Sequence, residues 1–312
     1  MQMNERSLVK LKNKKMMWCY LFILPQLLLY LAFTIYPMIM SYVYSFFEWD
    51  GLGPLENFIG VENFVEILSD SYFWNAFRNS FVFMFGIVVI QVPLALLMAL
   101  LLNAKWLKGA SFYRLLIFLP VVTTTAVVGV VMRFIFGAYK GLVNEVLLSL
   151  GIINQAIDWL GSTDTAFIVV LLVGIWKTFG MKMIYWLAGL QSLPQDLYEA
   201  AKVDGASIVQ SFRHITIPLL IPIGTVIMLL SAVNALHVFD LVQTMTGGGP
   251  AFATDMVDVY VYRYAFAAED GVARIGFASA AGILYGVAVF LVSLVMGLFV
   301  KFTGGKSKKS IG

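Results

Sequence analysis

Six long runs of apolar residues, separated by polar or charged segments, set the organisation of this chain. They cover residues 18–44, 77–102, 113–136, 166–190, 216–240 and 276–301. A helix needs about 20 apolar residues to cross the hydrocarbon core of a bilayer, and every run reaches that length. The runs are continuous, whereas strands of a membrane barrel are shorter and alternate in polarity. The pattern therefore predicts an all-α membrane protein, a bundle of six transmembrane helices within residues 16–302.

The overall composition is that of a membrane protein. The chain has 312 residues, of which 60% are hydrophobic and 12% are charged. A soluble domain of this length could not bury so much apolar surface. Cys19 is the only cysteine, so no disulfide framework is expected. His214 and His237 lie far apart in sequence, and we expect no metal site.

The charged residues between the runs indicate the orientation of the helices. With six crossings, the tails at residues 1–15 and 303–312 lie on one side, together with the second connection and the loop 191–215. This side carries many basic residues: Arg6, Lys10, Lys12, Lys14, Lys15, Lys105, Lys108, Arg114, Lys202, Arg213, Lys301, Lys306, Lys308 and Lys309. The opposite side is acidic, with Glu48, Asp50, Glu56, Glu62, Glu66, Asp70, Glu145, Asp158, Asp164, Asp255, Asp258, Glu269 and Asp270. By the positive-inside rule, both basic tails and the loop 191–215 are predicted to be cytoplasmic.

The loop 191–215 carries clear helix signals. Ser192 followed by Gln195 is the pattern of a capping box, Pro194 is tolerated in a first turn, and Gly205 is suited to end a helix. These residues predict a short helix over about 193–204.

The predicted short helix has one face of small side chains. Leu197, Ala200 and Ala201 share that face by their i, i+3, i+4 spacing, which would allow another protein to approach closely. The alternative is an ordinary alanine-rich loop between two membrane helices, and spacing alone does not separate the two.

The order of residues in the loop matches a known motif. The strings Glu199-Ala200-Ala201, Asp204-Gly205-Ala206 and Ile215-Thr216-Ile217-Pro218-Leu219 resemble the EAA motif of permease subunits of binding-protein-dependent ABC importers. The re-entry at Ile217-Pro218 departs mildly from the family's more usual Leu-Pro. The resemblance implies the fold of a type I ABC importer permease with cytoplasmic termini. It also implies a helix-turn-helix that fits a groove on the ATPase, with coupling residues Glu199, Ala200, Ala201, Asp204, Gly205, Ala206 and Pro218.

The fifth run carries polar residues that are candidates for a solute path. Asn234, His237 and Asp240 are spaced i, i+3, i+6, so on one helix they would drift only modestly around a face. Such a face could line a translocation path for a polyhydroxylated solute, or it could be a hydrogen-bonded interface between helices. Both interpretations stay open.

Two other runs also contain polar residues. Lys177 and Lys182 lie within the fourth run, where a cation is costly and is expected to face inward or towards the interface. We hypothesise that Lys177 pairs with Asp240. Gln91 in the second run is expected to face the bundle interior, and it joins Lys177 as a candidate for the path.

The sequence after the fifth run indicates a branch of the family. Phe239-Asp240-Leu241 followed by Thr246-Gly247-Gly248-Gly249-Pro250 is similar to the carbohydrate-uptake permeases, as is the stretch 189–194. This resemblance implies import of sugars, oligosaccharides or glycerol phosphates across a bacterial or archaeal cytoplasmic membrane. The implied partners are a second, homologous permease, two ATPase subunits and an extracellular solute-binding protein. No catalytic residue is expected in this chain, since ATP and Mg would be bound by the partner ATPase.

Two other functional classes fit the residues less well. A secondary transporter driven by an ion gradient would be supported by inverted repeats and mid-membrane carboxylates, of which Asp240 is the single candidate. A membrane-embedded enzyme would need a cluster of nucleophile and base, which the scattered polar residues do not provide. The basic clusters are short and juxtamembrane, so they require no nucleic-acid partner.

Overall fold

The computed structural model describes residues 5–104, 106–267 and 271–309, with side chains described between residues 16 and 301. The described residues form α-helices joined by turns, as predicted: α1 (Glu5–Tyr30), α2 (Tyr36–Tyr44), α3 (Glu62–Ser69), α4 (Ser71–Gly86), α5 (Val92–Asn103), α6 (Ala110–Val122), α7 (Thr125–Ile135), α8 (Leu142–Ser149), α9 (Thr163–Gln191), α10 (Gln195–Val203), α11 (Ile208–Ser211), α12 (Ile217–Ala235), α13 (Phe239–Met245), α14 (Val257–Phe266) and α15 (Ile275–Lys309). Short π-helical turns at Leu31–Ile35, Ile87–Gln91 and Phe212–Thr216 join neighbouring helices. Lys105, Glu269 and Asp270 lie outside the described residues.

Five continuous helical segments of the described chain are long and apolar enough to cross a membrane. They are Met16–Tyr44, Ser71–Asn103, Thr163–Gln191, Ile208–Ala235 and Ile275–Lys301. A sixth crossing is present if α6 and α7 together form one span, and these two helices are bent by 97° at their junction. The all-α membrane fold is therefore confirmed, with five to six spans.

The prediction of one uninterrupted helix over 113–136 is wrong. Helix α6 ends at Val122, and the backbone of Thr123 is extended, with ψ 140°. Pro120 removes one backbone hydrogen bond of α6, and threonine side chains compete with the backbone for hydrogen bonds. The Pro120 to Thr125 segment therefore favours a break that a count of apolar residues does not detect.

The backbone of both polar tails is helical over most of its length. Helix α1 begins at Glu5 and α15 runs to Lys309, so the backbone at residues 5–15 and 303–309 continues the membrane helices. Residues 5–15 are rich in lysine and leucine, which are good helix formers and favour this extension of α1. The cytoplasmic position of the basic tails stays a prediction. Residues 1–4 and 310–312 lie outside the described part of the chain.

The chain divides into two compact units, of which the first combines the described residues of Met1–Ile67 and Tyr264–Ile283. Within this unit, no side chain from Met16 to Tyr44 is buried by the chain itself. Buried Asn63 donates from Nδ2 to the carbonyl oxygens of Ser45 and Phe47, at 2.9 and 3.0 Å. These hydrogen bonds satisfy backbone groups at the end of the first span, so they fix the turn that follows it.

The second unit comprises Leu68–Arg263 and the described part of Leu284–Gly312, and it contains the main apolar core. Helices α5, α9 and α12 contribute the buried side chains Val92, Ala95, Ala99, Leu102, Met183, Trp186, Leu187, Leu190, Leu220 and Ile227. Trp186 also donates from Nε1 to the carbonyl of Val92 at 3.0 Å. A Cβ atom at Gly180 would lie 2.5 Å from the carbonyl oxygen of Ile117, so only glycine permits this close approach of α9 and α6.

Candidate functional site

The helix that carries the Glu199 motif, α10, starts differently from the prediction. Ser192 is still in the right-handed helical region as the last cap of α9, and its hydroxyl donates to the carbonyl of Gly189 at 2.7 Å. Pro194 occupies the N-cap of α10 and makes no side-chain capping bond. The predicted capping box of Ser192 and Gln195 is therefore wrong, because Ser192 is the C-cap of α9, which ends at Gln191.

Gly205 ends α10 as predicted, in a tight left-handed turn. Its φ is +76°. The amides of Gly205 and Ala206 donate to the carbonyls of Lys202 and Ala201, at 3.2 and 2.9 Å. This is the hydrogen-bond pattern of a Schellman motif, in which glycine at the left-handed position avoids a Cβ clash. The turn after α10 is therefore closed by the backbone itself.

A capping box forms at the next helix, α11. The Ser207 hydroxyl accepts from the amide of Gln210 at 3.3 Å, and the Gln210 side chain accepts from the amide of Ser207 at 2.7 Å. The Ser-x-x-Gln spacing was visible in the sequence at this position also. From α11 the chain continues through a π-helical turn into α12, so the second helix of the helix-turn-helix is the start of the fifth span.

A hydrogen bond braces α10 against the base of the fifth span. The hydroxyls of Tyr198 and Thr216 lie 2.9 Å apart. Thr216 is buried, at 5% exposure, and immediately precedes α12. The sequence pattern does not predict this contact, because it joins positions that only the folded turn brings together.

The tip of the helix-turn-helix exposes apolar side chains. Val203, Ile208 and Val209 are 87%, 89% and 73% exposed. Glu199 and Ala200 are also exposed, while Ala201 is half-buried. A shallow cleft of about 350 Å³ follows the turn, lined by Asp204, Gly205, Ala206, Gln210, Ser211, His214 and Ile215. Apolar tips of this kind are typical of surfaces that contact another protein.

A second site is a cavity of about 540 Å³ in the second unit. Its walls are formed by α4, by both halves of the broken third span, by α9, and by the chain from the end of α12 through α13, with Asp258 from α14. The polar side chains that line it are Thr125, Lys177, Thr178, Lys182, Tyr185, Ser231, Asn234, His237, Asp240 and Asp258. A cavity of this size accommodates a small solute with several hydrogen-bonding groups.

Asn234, His237 and Asp240 line this cavity, but they do not share one helical face as predicted. Helix α12 ends at Ala235 rather than at 240, and Asp240 lies in the first turn of α13. The hydroxyl of Tyr285 donates to the carbonyl of Leu236 at 2.6 Å, which satisfies a backbone group at the break. Periodicity does not predict a tertiary hydrogen bond of this kind. The three residues come together because the helix ends at Ala235, and not because of helical spacing.

Lys177 lines the cavity, but its predicted ion pair with Asp240 is not formed. The Lys177 Nζ atom donates to the carbonyl of Val121 at 3.1 Å. That carbonyl lies in the last turn of α6, where the break leaves backbone acceptors without helical partners. The lysine therefore meets a neutral oxygen that an unbroken third span would not have offered.

Gln91 does not line the cavity. It is fully buried, and its Nε2 atom donates to the carbonyl of Ile175 at 2.8 Å and to the hydroxyl of Thr178 at 2.7 Å. The assignment of Gln91 to the path therefore has no support from this cavity and stays a prediction. Its π-helical turn places the amide against α9, where it acts as a hydrogen bond between helices.

His237 pairs with Asp258, a residue that the sequence pattern does not assign to the path. Its Nδ1 atom lies 3.7 Å from the Asp258 carboxylate, and both residues lie outside the membrane-spanning segments. Interaction with Asp258 raises the pKa of His237 above its ordinary value, against the opposing effect of burial. The pair therefore puts a proton-sensitive group at the cavity.

The turn after α13, which contains Gly247, Gly248 and Gly249, is held by buried polar residues. The hydroxyls of Thr246 and Thr254 lie 2.7 Å apart, and Thr254 donates to the carbonyl of Gly249 at 2.6 Å. Asp255 is fully buried and bonded to Arg263, and burial raises its pKa to about 6 although Arg263 opposes the shift. The turn is thus a fixed element at the end of the segment that lines the cavity.

Comparison with known proteins identifies the family. The model of the family "Binding-protein-dependent transport system inner membrane component" matches residues 74–304. This chain belongs to that family. The family membership expected from the Glu199 motif is therefore confirmed.

Relatives of this inner membrane component include named sugar transporters. The chain is 35% identical to the trehalose/maltose transport system permease protein MalF of Thermococcus litoralis, over 82% of this chain and 85% of that protein. It is 32% identical to the lactose transport system permease protein LacF of Rhizobium radiobacter, over 93% and 94% of the two chains. A solved bacterial alginate ABC transporter, in complex with an alginate pentasaccharide-bound periplasmic protein, contains a chain with TM-score 0.79 and 26% identity, covering 91% and 94%.

For an inner membrane component of such a transport system, the two sites have distinct chemical character. The helix-turn-helix presents an exposed apolar tip and no buried reactive group. The cavity presents hydroxyl, amide and charged groups within a largely apolar wall, a combination that suits the binding of a polar solute.

Proposed function

We propose that this chain is a permease subunit of an ATP-driven importer and that its solute is a carbohydrate. The names of the trehalose/maltose and lactose relatives support the solute class. One structural observation carries the proposal: the segment Ile208–Ala235 begins at the helix-turn-helix and ends at the cavity. A force applied at the loop therefore acts directly on the wall that holds Ser231 and Asn234.

The proposed mechanism is alternating access. Two partner ATPase subunits bind ATP and Mg and grip the segment from Glu199 to Pro218, with Val203 and Ile208 at the centre of the contact. Closure of the ATPases moves α10, and the Tyr198–Thr216 hydrogen bond passes that movement to the base of the fifth span. Nucleotide biases two conformations of the permease only if the ATPase contacts the loop differently in each of them.

The importer needs further subunits and a defined membrane. A second, homologous permease completes the path, and an external binding protein delivers the solute, as the complex in the alginate transporter supports. The basic loops support a cytoplasmic position of the termini and of the helix-turn-helix, in a bacterial or archaeal cell. The bilayer is then the cytoplasmic membrane, and this chain supplies the path without hydrolysing ATP.

The test is uptake by the reconstituted importer. Proteoliposomes are prepared with this chain, its permease partner, the ATPases and the binding protein. They should accumulate labelled saccharide when ATP is supplied on the side of the membrane that carries the ATPases. A non-hydrolysable ATP analogue should abolish uptake, and ionophores that collapse ion gradients should not. Uptake that survives without ATP and is lost with an ionophore would instead identify a secondary transporter.

A further inference from the structure

Two lysines of α9 line the cavity and are almost removed from solvent. Lys177 and Lys182 expose 6% and 4% of their surface, and both contribute to the cavity wall. They lie inside the membrane-spanning segment Thr163–Gln191. A cation within a span is costly to insert, and such residues face bundle interiors or solute paths.

No carboxylate of the described chain neutralises these lysines. The ion pairs found among the described residues join His237 to Asp258, Arg263 to Asp255 and Arg274 to Glu66. Lys177 donates to the neutral carbonyl of Val121, and Lys182 lies 5.9 Å from the centre of the Tyr185 ring. Neither contact cancels a full positive charge.

The negative groups of the cavity belong to a different part of the chain. Asp258 lies beside His237, and Asp240 is exposed at the start of α13. Both carboxylates lie outside the membrane-spanning segments, whereas the two lysines lie within one. The membrane-embedded wall of the cavity is therefore positively charged.

We propose that the solute is a saccharide with an anionic group, a carboxylate or a phosphate, and that Lys177 and Lys182 bind this group during passage. This inference rests on the proposed function, because it assigns the substrate class of the same path. An ammonium group donates up to three hydrogen bonds, which suits the oxygens of either anion. Thr125, Thr178 and Ser231 line the same cavity and can meet the neutral hydroxyls of the sugar.

The experiment compares charged probes with matched neutral ones in the reconstituted importer. Digalacturonate is paired with its neutral methyl ester, and glucose 6-phosphate is paired with glucose, so each pair contrasts an anionic saccharide with a neutral one. The two arms distinguish a carboxylate from a phosphate solute. Binding to the permease–ATPase complex without the binding protein is measured in parallel by calorimetry, so that rejection by the binding protein is not mistaken for rejection by the path.

Substitutions then test the role of the lysines. Lys182→Met should weaken binding and uptake of the anionic probe by about tenfold or more, the loss expected for a hydrogen bond to a charged group. Lys182→Arg should retain most of the activity because it keeps the charge. Lys108→Met removes an exposed lysine outside the cavity and should change neither quantity. Co-purification of the permease partner and the ATPase subunits with each variant shows that the complex is intact.

The outcomes separate this inference from the proposed function. Preferential uptake of an anionic probe that depends on Lys182 supports both. ATP-driven uptake of a neutral saccharide, with charged probes excluded or with Lys182→Met fully active, overturns the anionic assignment and leaves the proposed function standing. Absence of ATP-driven uptake for every saccharide overturns the proposed function, and this inference with it.

Discussion

At the residue scale, Gly205 is the position where backbone conformation matters most for coupling. Its φ of +76° is strained for any residue with a Cβ, by about 1–2 kcal/mol. We expect Gly205→Val to insert and assemble normally but to shift the turn, because the Schellman hydrogen bonds cannot keep their geometry. Uptake in proteoliposomes should fall at least severalfold while ATP hydrolysis by the complex continues.

Gly151→Val is the matched control for the Gly205 variant. Gly151 also has a positive φ, +68°, and a Cβ added at either glycine would meet no atom within 4 Å. The two substitutions therefore impose similar backbone strain at different loops. Equal uptake by both variants would argue that the turn after α10 has no special part in transport.

The residues of the site were predictable where local chemistry dictates structure. Gly205 ends α10 as its sequence context predicts, because helix termination by glycine depends on a few neighbouring residues. The partner of Lys177 was not predictable, since the Val121 carbonyl becomes available only through a break in another helix. Asp258 was missed for a similar reason: its proximity to His237 arises from the folded chain and not from spacing.

At the element scale, the contact of α10 with the base of the fifth span is the feature that joins loop to path. The Tyr198–Thr216 hydrogen bond is between neutral groups, and removal of such a bond costs about 0.5–1.5 kcal/mol. We expect Tyr198→Phe to loosen α10 and to speed hydrogen exchange of its amides by about two- to tenfold. Hydrogen–deuterium exchange of the assembled importer measures this.

Two further variants make the Tyr198 experiment decisive. Tyr139→Phe removes the hydroxyl of a tyrosine that is 84% exposed, and it should leave exchange of α10 unchanged. Thr216→Val and Tyr198→Phe each remove the same hydrogen bond. The double variant should therefore speed hydrogen exchange of α10 by less than the sum of the two single effects. Strictly additive effects would mean that the two side chains do not interact in the assembled importer.

Helix existence was predicted at this scale far better than helix continuity. Every apolar run became helical because about 20 apolar residues in a bilayer have few alternatives. The 97° bend between α6 and α7 and the end of α12 at Ala235 were missed, and both shape the cavity. Backbone groups at such breaks are satisfied by side chains from other helices, as Tyr285 does for Leu236, and these partners are set by tertiary packing.

At the scale of the whole molecule, the central claim is that this chain is a passive path driven from outside itself. The segment Ile208–Ala235 links the exposed tip to the cavity, so the claim requires the tip to face the ATPase in the cytoplasm. Orientation by basic loops and the family assignment both favour that arrangement.

Labelling of the tip tests this claim most directly. In a Cys19→Ser background, Val203→Cys introduces a thiol at a position that is 87% exposed. A membrane-impermeant maleimide should react with it in inverted vesicles but not in right-side-out vesicles, and bound ATPase should block the reaction. Labelling in right-side-out vesicles, or labelling that the ATPase leaves unchanged, would contradict the account.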